Sequence, residues 1–184
     1  MRDVTWIGAN LRHADRAEIF CQMPDGMNGS SIAAHLFEGM LVDWSWVAAL
    51  DGQPVCVFGI GPINVATWSG FAFGTHDMPR AIPAMTRHML AQEQRMIDVG
   101  VRRLEVRTIS THDVSHQWLR ALGCWFEADL PHYGKNGETF ELWSWHLDRK
   151  PSRYAKYRTA RNVHQSPQAP EAPGATAPGR AQER

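Results

Sequence analysis

Long hydrophobic runs are missing from this sequence of 184 residues. The longest apolar stretches, such as Val55 to Ile60, cover only a handful of residues and are broken by glycine and proline. A membrane-spanning helix needs about 20 consecutive apolar residues. The amino terminus carries Asp3 and has no apolar signal core. We therefore expect neither a transmembrane span nor a signal peptide.

Cysteine is also scarce. The three cysteines, Cys21, Cys56 and Cys124, are odd in number, far apart and set in apolar sequence. This pattern excludes a disulfide framework and a Cys-x-x-Cys metal site, and it favours buried thiols in a reducing compartment. Apolar material is plentiful by contrast, with 43% hydrophobic residues and eight tryptophans. The composition thus predicts one folded domain and excludes a wholly disordered chain.

The formal net charge of zero hides two oppositely charged regions. Residues 1–148 hold 11 basic and 17 acidic side chains, a net charge of −6, and residues 149–184 hold 8 basic and 2 acidic ones, a net charge of +6. We expect a folded domain over 1–148, a basic segment over 149–164 and a flexible tail rich in proline, alanine and glutamine over 165–184.

The basic segment is a candidate binding surface. Its six cations lie within thirteen residues that contain no acid and are interleaved with two tyrosines: Arg149, Lys150, Arg153, Lys156, Arg158 and Arg161. Such a cluster can contact DNA phosphates or an acidic protein surface. A solvated tail without a partner is the competing interpretation.

Hydrophobic periodicity and turn residues predict a mixed α/β fold. The predicted elements of the first half are a strand from Val4 to Leu11, helices from His13 to Gln22 and from Ser30 to Phe37, and strands from Asp43 to Leu50, Pro54 to Ile60 and Ala66 to Thr75. Asp51-Gly52 is a hairpin turn signal between two of these strands.

The second half continues with a helix from Pro83 to Val99, a strand from Val101 to Ile109, a helix from Asp113 to Leu122, and paired strands from Cys124 to Leu130 and from Thr139 to Leu147. The helix from Pro83 connects two strands that we expect to be parallel. Because open sheets bind ligands at the carboxyl ends of their strands, a cleft is expected between Ala66–Thr75 and Val101–Ile109.

Two Trp-Ser-Trp motifs, Trp44-Ser45-Trp46 and Trp143-Ser144-Trp145, place both indole rings of each pair on one face of a strand. Packing on the sheet is the simpler interpretation. A stacking platform for a carbohydrate or a nucleic-acid base is the alternative.

The order of these elements resembles that of the GNAT superfamily of N-acetyltransferases. Ser115 to Glu127 looks like the penultimate helix of that family, its leucine-glycine corner and the following strand. More narrowly, Trp118 to Gly123, Tyr133-Gly134 and Gly137 to Phe140, with Phe73-Gly74-Thr75 upstream, are similar to a small GNAT-like protein of short-tailed phages. Its members are often labelled internal virion or assembly proteins. The resemblance covers residues 3 to 147 and implies a twisted mixed sheet of six or seven strands flanked by about four helices.

The resemblance implies acetyl-CoA as cofactor, in contact with Phe73, Gly74, Thr75, His76 and Arg80. Family members hold its pyrophosphate with a loop of the type Gln/Arg-x-x-Gly-x-Gly/Ala, whose backbone N–H groups face the anion. The matching stretch here, Thr75 to Pro83, has no glycine, contains two prolines without an N–H group, and carries Asp77. We therefore expect weak acetyl-CoA binding, with Arg80 as the remaining phosphate contact.

Catalysis in the family uses a carboxylate or a water chain as base and often a tyrosine on the penultimate helix as acid. By this resemblance Glu105 is the best-placed carboxylate. No tyrosine lies between Asp113 and Leu122, so His116, or else Ser115, is the nearest substitute. An ion-paired strand residue is the competing interpretation of Glu105.

His112 and His116 are spaced i, i+4, as in helical metal sites, but no third ligand is in register. With Asp113 the histidines also resemble a fragment of a catalytic triad, which no Gly-x-Ser-x-Gly motif supports. We predict no metal site.

The leading hypothesis is a phage GNAT-like protein with a degenerate acetyl-CoA loop that acts as a virion-associated or assembly protein. Its partners would be virion or assembly proteins, and DNA or an acidic protein surface at the basic segment. Its location would be the host cytoplasm during infection or the virion. The alternative is an active N-acetyltransferase that moves an acetyl group from acetyl-CoA to a protein or small-molecule amine. Nucleic-acid binding through the basic segment alone is a third possibility.

Overall fold

The structure, a computed structural model, describes residues 2–29, 31 and 42–147. The helices are α1 (Arg2–Ala9), α2 (His13–Phe20), α3 (Met78–Ala91), α4 (Glu93–Asp98) and α5 (Asp113–Leu122), with a 3₁₀ turn at Val42–Trp44. None of the described helices is long and apolar enough to cross a membrane. The helix predicted from Ser30 to Phe37 lies outside the described residues except for Ser31, and all of the basic segment and tail lie outside them.

Within the described residues, six strands form one mixed sheet: β1 (Ser45–Leu50), β2 (Gln53–Pro62), β3 (Thr67–Gly74), β4 (Arg103–Ile109), β5 (Trp125–Leu130) and β6 (Phe140–His146). Their order across the sheet is β1-β2-β3-β4-β6-β5. Every neighbouring pair is antiparallel except β3 and β4, which are parallel. The predicted mixed α/β class and the predicted parallel pair are therefore confirmed.

The two faces of the sheet carry separate cores. Side chains from α3, α4 and α5 form the larger core on one face, which includes Met85, Met96 and Leu122. Helix α1 packs with Val57 and Phe73 in the smaller core on the other face, and apolar side chains of α2 lie against it. The sheet is thus a three-layer arrangement in which α2 lies on the face opposite to α5.

The first predicted strand, Val4 to Leu11, is wrong: this segment forms helix α1 and the turn after it. Val4, Ile7 and Leu11 are all buried against the sheet. Their spacing of three and four residues is the period of a helix face, and a strand would have placed Val4 and Ile7 on opposite faces. The β-branched residues of this short segment favoured the strand locally, and tertiary packing decided for the helix.

The helix predicted from Pro83 begins earlier and is divided. Helix α3 starts at Met78, with Pro79 in its first turn and Pro83 inside it, and α4 follows after Ala91. Pro79 takes the first-turn position, where a missing N–H costs little. The stop signal was read correctly, because Gly100 adopts a φ of 92°, the left-handed conformation that glycine accepts without strain.

Two local predictions are confirmed in detail. Asp51 and Gly52 both have positive φ, 50° and 78°, as a two-residue hairpin turn of type I′ requires. Helix α5 spans Asp113 to Leu122 and ends at Gly123, whose φ is 89°. The helix begins at Asp113 itself, so His112 occupies the cap position.

Both Trp-Ser-Trp motifs contribute to packing. Trp44, Trp143 and Trp145 are buried, and Trp143 is only 2% exposed. Trp44 packs edge-on against Trp46 and Trp68. The rings of Trp44, Trp143 and Trp145 belong to the core. They therefore offer no exposed face on which a carbohydrate or a base could stack.

Candidate functional site

A cleft opens between the two parallel strands. β3 and β4 pair only at Thr67–Ser69 and Arg103–Glu105. Beyond these three pairs a cavity of about 300 Å³ lies between them, lined by Gly70 and Phe71 from β3 and by Val106 and Thr108 from β4. The predicted cleft is therefore present. Its remaining walls are mostly apolar and include side chains of α2, β2, α3, α5 and β6.

Helix α2 bridges the ends of the two strands. At β3, the Gly74 N–H donates to Asp15 Oδ2 at 2.7 Å and the Arg12 N–H donates to the Gly74 carbonyl at 2.9 Å. At β4, the Thr108 hydroxyl donates to Glu18 Oε2 at 2.9 Å. Because these contacts use one end of each strand, α2 holds the cleft at a defined width.

Glu18 is the one acidic side chain that lines the cleft in the part of the chain that the structure describes, and the sequence predictions missed it. His112 Nδ1 lies 2.8 Å from Glu18 Oε2, and the Glu18 side chain is 18% exposed and lines the cavity. Asp15 and Glu18 are spaced i, i+3, which places them on one face of the predicted helix from His13. That shared face was the available signal, and only the packing of α2 against β4 shows that it faces the cleft.

Two buried groups neutralise each other beside Glu18. Arg12 Nη2 lies 2.8 Å from Asp15 Oδ1, and both side chains are largely buried. His112 Nε2 lies 3.8 Å from the same Asp15 oxygen. A buried charge needs a partner of opposite sign, and Arg12 provides it for Asp15.

The stretch that the resemblance matched to a phosphate loop begins at the end of β3. Phe73 and Gly74 are buried, and His76 and Arg80 lie further along, where α3 begins. Four backbone N–H groups already have acceptors: Thr75 donates to Val55 O, Asp77 to Thr75 Oγ1, Met78 to Thr75 O, and Arg80 to Asp77 O. Pro79 has no N–H. Four of the N–H groups that could face a pyrophosphate therefore already donate to other groups of the protein.

The charge of this loop is also neutralised. Arg80 Nη1 lies 3.2 Å from Asp77 Oδ1, and both side chains are exposed. The one predicted phosphate contact therefore has a carboxylate beside it. The residues at this position do not fit the pyrophosphate of acetyl-CoA, and the weak binding predicted from the sequence stays a prediction.

Glu105 lies on β4, between two arginines. Its carboxylate oxygens lie 2.8 Å from Arg103 Nε and 3.1 Å from Arg107 Nη2. Arg103 also pairs with Glu127 on β5. This hydrogen-bonded pair, together with Ser144 and His146, lowers the pKa of Glu127 to about 2. Both oxygens of Glu105 are thus in ion pairs, as the competing interpretation from the sequence expected.

His116 lies outside the cleft. Its ring is 4% exposed and stacks on Trp143, with centroids 5.6 Å apart. Nε2 lies 3.4 Å from Glu141 Oε2, on the β6 side of α5. Ser115, the other residue considered for a catalytic role, does line the cleft.

His112, the cap residue of α5, and His116, within α5, do not point toward a common site. His112 contacts Glu18, whereas His116 contacts Glu141. Among the described residues no group of three His, Cys, Asp or Glu side chains is arranged to hold a metal. Ser115 Oγ lies 3.0 Å from His112 Nδ1, the nitrogen that faces Glu18, and 3.4 Å from His112 Nε2. A catalytic triad uses the two different ring nitrogens, whereas here the serine is nearer to the nitrogen that faces the carboxylate.

The thiol of Cys124, which lies in the cleft, is protonated and unreactive at neutral pH. Cys124 lines the cavity, and burial raises its pKa to about 12. Cys56 is fully buried, and its pKa is also raised. Because the thiolate is the nucleophilic form, neither side chain supplies a nucleophile at neutral pH.

Known proteins resemble this chain in structure alone. No protein-family model and no curated protein matches the sequence. A probable acetyltransferase of the GNAT family from Chromobacterium violaceum matches the structure with a TM-score of 0.59 at 14% identity, over 79% of this chain and 81% of that chain. Ard1 from Thermoplasma volcanium matches with a TM-score of 0.58 at 11% identity, over 79% and 91%.

A third similar structure contains a cofactor. The protein yncA from Salmonella typhimurium, solved with acetyl-CoA, matches with a TM-score of 0.52 at 15% identity, over 69% of this chain and 79% of that chain. Identities this low establish the architecture and leave the chemistry open. The chain has the GNAT-type acetyltransferase fold.

Proposed function

We propose that this protein is a non-catalytic GNAT-fold protein that serves as a binding or assembly component of a phage particle. The observation that carries the non-catalytic part is the hydrogen bonding of the Thr75–Arg80 loop. Four of its N–H groups already donate to other groups of the protein, Pro79 has no N–H group, and Asp77 pairs with Arg80. A cofactor whose tight binding depends on that loop would lose its anchor.

The assignment to a phage particle is supported by the sequence resemblance of Trp118 to Gly123 and Gly137 to Phe140. The basic segment from Arg149 to Arg161 supplies a contact surface of the charge that DNA or an acidic virion protein would recognise. Mass spectrometry of purified particles from infected cells tests this part. The protein should be found in the particle in a fixed copy number, and its absence from the particle would contradict the role.

Calorimetric titration with acetyl-CoA tests the non-catalytic part. We expect a Kd on the order of 1 mM or no binding. The double variant Asp77→Gly with Pro79→Gly restores glycines and an N–H group to the loop and should bind more tightly than the native chain. Micromolar binding to the native chain, with chemical-shift changes from His76 to Arg80, would overturn the proposal.

An N-acetyltransferase is the second candidate, and one observation favours it. Glu18 places a carboxylate in a cleft between the parallel strands, where an amine could approach it. Incubation with acetyl-CoA and a panel of amines, followed by detection of free CoA thiol, tests this candidate. Turnover that disappears in Glu18→Gln would establish it, and no turnover with any amine would reject it for that panel.

A further inference from the structure

Three exposed aliphatic side chains lie at the end of the sheet where β3 and β4 begin, opposite to the cleft. Ile63 and Val65, in the loop between β2 and β3, are 48% and 92% exposed, and Val99, in the turn before β4, is 52% exposed. A Cβ at Gly100 would lie 4.0 Å from the Val65 carbonyl oxygen, so the two loops adjoin. Exposed apolar side chains that are grouped mark an interaction surface, whereas single ones do not. We call these three side chains the aliphatic tip.

The loop that carries Ile63 and Val65 is held by its own hydrogen bonds. The N–H groups of Ile63 and Asn64 donate to the Thr67 carbonyl oxygen at 2.9 and 3.0 Å. Asn64 Oδ1 accepts the N–H groups of Ala66 and Thr67 at 3.0 and 2.9 Å. No charged residue occurs between Gly61 and Thr67. The tip can therefore leave water without burying a charge or these four N–H groups unpaired, which would be costly.

The basic segment follows a strand that ends beside the aliphatic tip. The Leu147 N–H donates to the Arg102 carbonyl oxygen at 3.0 Å, and the Arg102 N–H donates to the Ala66 carbonyl oxygen at 2.8 Å. Ala66 is the neighbour of Val65 in the chain. The first cation of the basic segment, Arg149, comes two residues after Leu147. The six cations therefore begin within a few residues of the tip.

The described charges beside the tip are of both signs. Arg102 and Glu93 line one hollow there, together with the apolar side chain of Leu90, which is partly exposed. Asp98, next to Val99, accepts a hydrogen bond from Gln94 Nε2 at 2.8 Å. The six cations of the basic segment outnumber these two acids. This end of the protein thus combines exposed aliphatic side chains with an adjoining excess of positive charge.

We infer that this end of the protein binds the surface of a bilayer that contains anionic lipids. The aliphatic tip enters the boundary between headgroups and acyl chains, and the cations contact the lipid phosphates. Peripheral membrane binding depends on such a pair of signals, buried apolar area and attraction to anionic lipid. The basic segment alone would suit DNA as well, but the phosphate backbone of DNA offers Val65 no apolar phase. The inference does not depend on acetyl-CoA or on a place in a phage particle.

Co-sedimentation of the full chain with lipid vesicles tests the surface. One set of vesicles is pure phosphatidylcholine, and the other contains about 30% phosphatidylglycerol to supply negative charge. We expect at least tenfold tighter binding to the anionic vesicles. This preference should shrink when salt is added, because salt screens the cations. Failure to bind the anionic vesicles, or equal binding to both sets, would overturn the inference.

Two matched valine variants separate lipid from DNA. Val65→Ser should weaken binding to the anionic vesicles at least threefold and leave binding to duplex DNA unchanged. Val114→Ser is the control, because Val114 is also exposed, at 47%, and lies in the first turn of α5, beyond the other end of β4. It should change neither. If Val65→Ser binds the vesicles as tightly as the native chain does, the inference is wrong and the contact is electrostatic alone. Tight binding to DNA without binding to vesicles would also overturn it.

A spin-labelled lipid locates the contact on the native chain. In small bicelles of the anionic composition, the label should broaden the methyl signals of Ile63, Val65 and Val99 and leave those of Val114 sharp. Broadening of the Val114 signals alone would show that the opposite end of the sheet faces the lipid, and it would contradict the inference even if the vesicles are bound.

Discussion

The main-chain N–H of Gly74, the last residue of β3, donates a 2.7 Å hydrogen bond to the carboxylate of Asp15 on α2. The same carboxylate pairs with Arg12 at 2.8 Å and is 3% exposed. One buried side chain therefore connects α2 to the strand that forms one wall of the cleft. The position of Glu18, one helical turn further on, depends on this connection.

Replacing Asp15 should destabilise the whole domain. Asp15→Ala leaves the Arg12 guanidinium buried without a counter-ion, which typically costs about 3–5 kcal/mol of unfolding free energy. Asp15→Asn keeps an oxygen that can accept the Gly74 N–H and should lose less. Urea denaturation followed by tryptophan fluorescence measures both. A loss below about 1 kcal/mol for Asp15→Ala would show that α2 is not held by this contact.

The Arg103–Glu127 pair should make stability depend on acid pH. The pKa of Glu127 in the folded chain, about 2, lies below its ordinary value of 4.5. The pair therefore stabilises the fold fully above pH 4.5, and that contribution is lost as the pH falls toward 2. Because Glu127 is partly exposed, we expect no more than about 1 kcal/mol.

Glu127→Gln isolates this contribution. The variant should be less stable than the native chain at pH 7 and should approach it in stability near pH 2. Urea midpoints at pH 7, 4.5 and 3 measure the difference. A constant difference at all three pH values would indicate that the lost contact is packing and not an ion pair.

A side chain at Gly74 should not be tolerated. A Cβ at this position would lie 2.5 Å from the Val55 carbonyl oxygen and 2.8 Å from Met78 Cβ. Gly74→Ala should therefore cost about 1–3 kcal/mol, as overpacking does. Gly61→Ala is the matched control, because a Cβ there meets nothing within 4 Å. Thermal unfolding should show a lower melting temperature for the first variant alone, and equal shifts would contradict the packing.

Removing the basic segment should affect binding to DNA or virion proteins and should not affect the thermal stability of the remaining chain. Residues 1–148 have a net charge of −6 and residues 149–184 have +6. Exposed ion pairs contribute about 0–1 kcal/mol each, and salt screens them beyond roughly 8 Å. Truncation after Asp148 should therefore leave the melting temperature nearly unchanged and abolish salt-sensitive binding to DNA or virion proteins. A loss of several degrees with association intact would make the segment part of the fold.

Much of the architecture could be predicted from local sequence. The Asp51-Gly52 turn, the glycine stops at Gly100 and Gly123, and the helix from Asp113 to Leu122 were read correctly because each depends on a few adjacent residues. The strand-helix-strand unit and its cleft followed from the handedness and shortness of such connections. Segment Val4 to Leu11 was read incorrectly, since its apolar residues suit a strand and a helix alike and only burial distinguishes them.

For the candidate site, too, some features could be predicted from the sequence and others could not. The sequence by itself determined that the Thr75–Pro83 loop lacks glycine and that two of its residues, Pro79 and Pro83, have no N–H donor, because these properties belong to residue identity. Only the tertiary structure decided which side chains lie in the cleft and which are held by other contacts. It placed Glu105 between two arginines and His116 against Trp143, and it brought Glu18 to Thr108 and His112, ninety residues or more along the chain. Such long-range contacts arise when α2 packs across the ends of β3 and β4, and no local pattern encodes that packing.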